Sequence, residues 1–267
     1  MKTFYICLFS LVTLSVALAS DAPSPTLPVF TDGQWKGNHA VYECDTFRAL
    51  MDSRGRLRIQ VLDQGKPVGK PFTWAAMSCN YHIPGTLHSP SRPVISYKNP
   101  SEPVMQPEKI VLEGLLKDDV PFRVEYRFRG QTITASGSCD DPRKLEFPSS
   151  FRLGTSFPAN WSIHPYVPQV ERETILAGCF LDLKENRGGK TVRSHNPYWE
   201  SMRFYGSIEE VEIVGVYGSR RVNVEPKSGG LGGHLGAGHP PWVGFSFSFG
   251  CPNNTLSPRG SLVLSIK

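Results

Sequence analysis

The residues best able to do chemistry in this sequence are one carboxylate, a few histidines and the aromatics beside them. Val222-Asn223-Val224-Glu225-Pro226 is an extended, β-branched run that delivers a single acid, Glu225, just ahead of a glycine-rich stretch. A carboxylate on a strand end beside a mobile glycine loop can present a general base to a ligand; the plainer alternative is a surface carboxylate. His195-Asn196-Pro197-Tyr198-Trp199 puts a histidine, an amide and two aromatics into one predicted loop. Aromatics stack on the apolar faces of sugar rings while amides bind hydroxyls, so this segment is either a carbohydrate subsite or a hydrophobic plug. The glycine-rich stretch, Gly232-Gly233-His234-Leu235-Gly236-Ala237-Gly238-His239-Pro240-Pro241-Trp242, adds two more histidines. A zinc site of the helical type needs its histidines on one helix face, which so many glycines cannot build. The Lys-Ser/Thr ending of a phosphate loop is also missing. We expect a flexible lid with Trp242 at its hinge, and no metal or cofactor.

The elements that must position these groups are strands. Residues 46–51 alternate into Asp52-Ser53-Arg54-Gly55, and Arg56 to Val61 leads out, which predicts a hairpin. A second turn is predicted at Asp63-Gln64-Gly65, and a second hairpin over Phe122–Phe128, Arg129-Gly130 and Gln131–Ala135. Ile175–Leu183, Ile208–Tyr217, Arg220–Val224, Val243–Phe249 and Leu262–Ile266 are further predicted strands. With 23 prolines and 25 glycines punctuating the chain, no segment sustains a long 3.6-residue apolar period. Short helical turns are expected only near Pro107-Glu108 and Tyr198–Glu200. The fold class is all-β, either a large antiparallel β-sandwich or two tandem small sandwiches joined near residues 158–168.

The first residues predict export. Lys2 precedes an apolar run from Ile6 to Leu18, and Ala17-Leu18-Ala19 suits cleavage before Ser20. The expected layout is a signal peptide over residues 1–19, a Pro/Ser-rich linker over 20–30 and a β-sandwich domain over 31–267. A secreted or periplasmic location follows, without membrane insertion after cleavage. The formal charge of +5 is spread along the chain, and nothing resembles a nucleic-acid platform. Five cysteines remain after cleavage: Cys44, Cys79, Cys139, Cys179 and Cys251. An odd count leaves at least one unpaired within the chain, and burial as small apolar residues competes with a disulfide framework. Asn160-Trp161-Ser162 and Asn253-Asn254-Thr255 are formal glycosylation sequons.

Several segments, taken in order, resemble the galactose mutarotase-like supersandwich of the aldose 1-epimerases. These are the hairpin around Asp52–Leu57, Leu87-His88, Val124-Glu125-Tyr126-Arg127-Phe128 with Thr132-Ile133, His164-Pro165-Tyr166, Val224-Glu225-Pro226 and Leu256-Ser257-Pro258-Arg259-Gly260. The resemblance implies a carbohydrate ligand and acid/base epimerase-like chemistry. It makes Glu225 the base, His164 the acid and His88 a substrate-positioning donor. His195, Tyr198, Trp199 and Trp242 complete the expected substrate-binding set. A non-enzymatic adhesion or accessory module and a polysaccharide-cleaving enzyme are the alternative functions.

Overall fold

The computed structural model describes residues 25–81, 83, 85–86, 89–141, 149–158, 168–198, 202–203, 207–227, 231–236 and 244–267. The predicted signal peptide lies outside them, as do His88, His164, Trp199, Trp242 and the sequon at Asn160.

In chain order the strands are β1 (Asn38–Glu43), β2 (Phe47–Asp52), β3 (Leu57–Asp63), β4 (Lys66–Pro67), β5 (Phe72–Tyr81), β6 (Val94–Tyr97), β7 (Val104–Met105), β8 (Lys109–Leu116), β9 (Val120–Arg129), β10 (Thr132–Cys139) and β11 (Ser149–Pro158). Helix α1 (Gln169–Ile175) follows, then β12 (Phe180–Arg187), β13 (Lys190–Pro197), β14 (Met202–Arg203), β15 (Ser207–Tyr217), β16 (Arg220–Lys227), β17 (Leu231–Gly236), β18 (Gly244–Gly250) and β19 (Ser261–Ile266).

The pairings resolve into two sheets. The first runs β7-β1-β2-β3-β5-β11-β18-β17-β14, with β4 hung on β3. The second runs β13-β12-β15-β16-β19-β10-β9-β8-β6. They meet at one corner through the Ile208–Leu231 pair. All neighbours are antiparallel except β1 and β7. The molecule is therefore an all-β sandwich, as the alternation predicts. No helix among the described residues is long and apolar enough to cross a membrane.

The burial follows from the period of two. In β9, Val120, Phe122, Val124, Tyr126 and Phe128 point inward, and the residues between them point out. One cluster of buried apolar side chains extends from Leu27 and Ile59 through Tyr126 and Leu153 to Val224 and Leu264, drawing on both sheets. Phe72 packs on Phe157 with ring centres 4.3 Å apart. Leu27 belongs to this cluster, its amide donates to the Ser53 carbonyl, and His39 Nδ1 lies 2.7 Å from the Pro28 carbonyl oxygen. The folded part thus begins within the predicted linker, because an apolar side chain there finds a place in the core.

Two irregularities bend the strands. Ala75 in β5 has φ of 47°, beside a register shift between Gly154 and Ser156 of β11. The bulge withdraws Ala75 from the regular β5–β11 pairing. Its amide donates instead to Thr155 Oγ1 at 3.0 Å, and its carbonyl accepts from the Tyr126 hydroxyl at 2.9 Å. In β15, Gly215 has φ of 78°, and a Cβ there would lie 2.2 Å from the Gly178 carbonyl oxygen, so only glycine fits.

One polar cluster is sealed at an end of the sandwich. Arg92, Asp141 and Ser149 are all under one tenth exposed. Arg92 donates to Asp141 at 2.9 Å and to the more exposed Asp118 at 3.3 Å, and Ser149 donates to Asp141 at 2.6 Å. The Tyr81 ring lies 4.7 Å from the guanidinium carbon.

Several local expectations are corrected. The predicted strand Ile175–Leu183 begins only at Phe180; the residues before it end α1 and form a turn closed by the Cys179 amide on the Leu176 carbonyl. No helix forms at Pro107-Glu108, where the Phe128 amide holds the Glu108 carbonyl against the sheet. The first half of the expected glycine lid is strand β17, because its backbone pairs with β18 from Leu231–Phe249 to Gly236–Gly244.

Candidate functional site

The outer face of the second sheet is where charged side chains converge. The register sets His195, Asp182, Glu212, Asn223 and Ser265 side by side across β13, β12, β15, β16 and β19. These positions point outward because their strand neighbours Leu181, Leu183, Ile213, Val222 and Val224 fill the core. A register shift opposite Lys184 and Glu185 bulges β15, so that Glu209 and Glu210 are both partly exposed between the buried Ile208 and Val211. The result is a hollow of about 310 Å³ lined by Asp182, Lys184, Arg193, His195, Glu210 and Glu212.

Within it, His195 Nδ1 contacts Asp182 Oδ1. A carboxylate only accepts, so Nδ1 carries the proton and donates. When the ring is neutral, this leaves a lone pair on Nε2, the arrangement of a general base. Phe180 stacks on the same imidazole at 4.1 Å between ring centres and 29° between planes, which fixes the ring from behind. His195 is 60% exposed, so its free edge is open to a ligand.

The acids across the hollow are tied more loosely. Glu212 accepts from Arg221 at 3.3 Å, and Glu210 accepts from Asn223 Nδ2 at 2.9 Å. Lys184 reaches Glu209 at 3.1 Å. That hydrogen bond, helped by Asn186, lowers the Glu209 carboxyl below the ordinary glutamate range. The arrangement supplies one proton-accepting nitrogen, several hydroxyl acceptors and two cations. Among the described residues, no group of three or more histidines, cysteines and acids has the spacing of a metal site.

The predicted residues fare unevenly. His195 lies in the hollow, but on strand β13 rather than in a loop. Tyr198 is fully buried, and its amide is bonded to the Cys179 carbonyl at 2.9 Å, so it serves the core and cannot stack on a ligand. Glu225 is not on a strand end; it sits inside β16 opposite Val263 and is paired with Lys227. It shares the sheet face with His195 but stands three strands away, ~14 Å at the usual spacing. The two are therefore no acid/base pair. His164, the partner expected for Glu225, lies outside the described residues with His88, Trp199 and Trp242. Sequence reasoning missed Asp182, Glu210 and Glu212. Their signal was the alternation of Leu181-Asp182-Leu183-Lys184 and of Val211-Glu212-Ile213, which assigns the acids to one outer face once the strands are placed side by side.

A second hollow of about 690 Å³ is lined by Tyr97, Leu115, Pro121 and Phe122 and by Glu113 and Arg123. Those two charges pair with each other, and Lys98 is the other charged residue of the lining.

No protein family's profile matches this chain, and no curated protein sequence does. Among solved structures, it is similar to the Slr1438 protein from Synechocystis sp. PCC 6803, at 11% identity and a TM-score of 0.46, over 85% of this chain and 94% of that one. It is also similar to a galactose mutarotase related enzyme from Lactobacillus acidophilus, at 8% identity and a TM-score of 0.38, over 85% and 96%. With both TM-scores below 0.5, what those proteins do does not carry over to this chain.

Proposed function

We propose that this is an exported carbohydrate-binding β-sandwich, secreted or periplasmic, whose sugar sits in the hollow between β12, β13 and β15. The observation that carries the reading is His195, oriented by Asp182 and backed by Phe180, facing Glu210 and Glu212 across a space of about 310 Å³. That volume is at the small end of ligand sites and suits a single sugar ring. Carboxylates accept hydrogen bonds from sugar hydroxyls, while Lys184 and Arg193 donate to sugar oxygens. If turnover accompanies binding, His195 Nε2 is the atom that takes the proton of an anomeric hydroxyl, as ring opening in an epimerase-like reaction requires.

The test is calorimetric titration of the full chain with a panel of monosaccharides, run beside polarimetry of a freshly dissolved anomer. Binding of at least one sugar is expected, weakened tenfold or more by both His195→Ala and Asp182→Asn. Faster mutarotation that disappears in His195→Ala adds the catalytic step. Binding without it leaves a carbohydrate-binding module. If no sugar binds, or if both substitutions leave affinity unchanged, the reading fails.

A further inference from the structure

Away from that hollow, two buried thiols come together at the sealed end of the sandwich. Cys79 belongs to β5 in the first sheet and Cys139 ends β10 in the second; they are 3% and 0% exposed. Backbone and side chains clamp them toward each other. The Cys79 carbonyl accepts from the Arg92 amide at 2.7 Å, and the Arg92 guanidinium reaches Asp141, two residues past Cys139. Ser149, which bonds Asp141, starts the strand that pairs with β5 in the register Phe151–Cys79. The Cys139 amide is held by the Pro252 carbonyl at 3.0 Å. Inside this frame each thiol perturbs the other, which lowers Cys79 and raises Cys139 from the ordinary thiol value.

We propose that Cys79 and Cys139 are a disulfide site that joins the two sheets covalently when the chain meets an oxidant of the disulfide class.

The chemistry is ordinary exchange. One thiolate attacks a small disulfide RSSR and displaces one RS⁻; the second attacks the mixed disulfide and displaces the other. The protein loses two hydrogens as its S–S bond forms, and RSSR becomes two RSH. Because both sulfurs are buried in the folded chain, the exchange takes place while the chain folds, and either thiolate makes the first attack. The remaining described cysteines have no such frame. Cys179 is raised by burial alone and Cys251 is pushed up to about 12, chiefly by burial. Cys44 lies 3.5 Å from the Thr46 hydroxyl and packs against the edge of the core.

The experiment is to refold the full chain with a mixture of oxidised and reduced glutathione, alkylate under denaturing conditions and map the peptides by mass spectrometry. A Cys79–Cys139 linked peptide is expected, with Cys44, Cys179 and Cys251 alkylated. Reduction is expected to lower Tm by ~5–10 °C, and this dependence on reductant disappears in the Cys79→Ala/Cys139→Ala variant. If the double variant fails to fold, the wild-type peptide map decides alone. Alkylation of both Cys79 and Cys139, or a link that involves any other pair in place of this one, overturns the proposal.

Discussion

The molecule holds two polar clusters built from the same kinds of side chain. At the sealed end, Arg92, Asp141 and Ser149 are 7%, 3% and 2% exposed. On the outer face of the second sheet, His195 and Asp182 are 60% and 41% exposed. Each pairs a base with a carboxylate, yet the surroundings give the pairs opposite jobs. In the buried one Arg92 and Ser149 both bond Asp141, so its charges are compensated within the protein. The exposed one turns a ring edge and two glutamates, held by Arg221 and Asn223, into a hollow. An ion pair marks a functional site only where the fold leaves part of its bonding capacity open.

The sharpest way to break this contrast is at the buried end. Arg92→Ala strands the Asp141 carboxylate in the interior and is expected to cost ~3–5 kcal/mol in a urea titration. A cost under ~1 kcal/mol would mean that the cluster is wetter than its burial indicates.

This contrast also separates what the sequence could tell from what it could not. The turns at Arg54-Gly55, Asp63-Gln64-Gly65 and Arg129-Gly130 were legible, because glycine and polar residues interrupt an apolar alternation there, and all three appear as tight turns. Strands β15, β16, β18 and β19 were legible for the same reason. β17 was not, because Gly232, Gly233 and Gly236 carry no strand propensity and the segment is held by its backbone pairing with β18. The hollow was only half legible. His195 stands out as a residue type, but its partner Asp182 is thirteen positions away and reaches it only through the β12–β13 register. The Arg92 cluster left no local signal at all, since its members come from three separate segments.

A second test uses alkaline pH, where burial should again outweigh residue type. Burial raises the Tyr97 phenol from 10.0 to about 12, and raises Tyr126 and Tyr217 further. Because the folded value lies above the unfolded one, this stability is complete below pH 10 and is lost as pH rises toward 12 and beyond. For Tyr97 the loss is ~2 kcal/mol after allowing for its partial exposure. Urea midpoints measured from pH 9 to 12 are expected to fall, and a flat profile would show that these phenols ionise without resistance.

The exposed cluster is expected to behave in the opposite way. His195→Ala and Asp182→Asn should each move stability by no more than ~0.5 kcal/mol while sugar affinity falls. If either costs as much as Arg92→Ala, the pair is structural and the contrast collapses. Smallest of all is Glu225→Gln. Its partner Lys227 is 60% exposed, so the change is expected to alter both stability and affinity by less than ~0.5 kcal/mol. A tenfold loss of binding would return Glu225 to the site and move the ligand across the sheet.

Strand β19 lies between β10 and β16, pairing Thr132 with Ser265 on one side and Val224 with Leu264 on the other. Until that segment arrives, β10 and β16 are two open edges with unmatched backbone groups, and the second sheet exists only as halves. The chain must therefore close a very large loop before the sandwich gains most of its cohesion, which makes for slow, all-or-none assembly and for a period in which those edges can capture other chains.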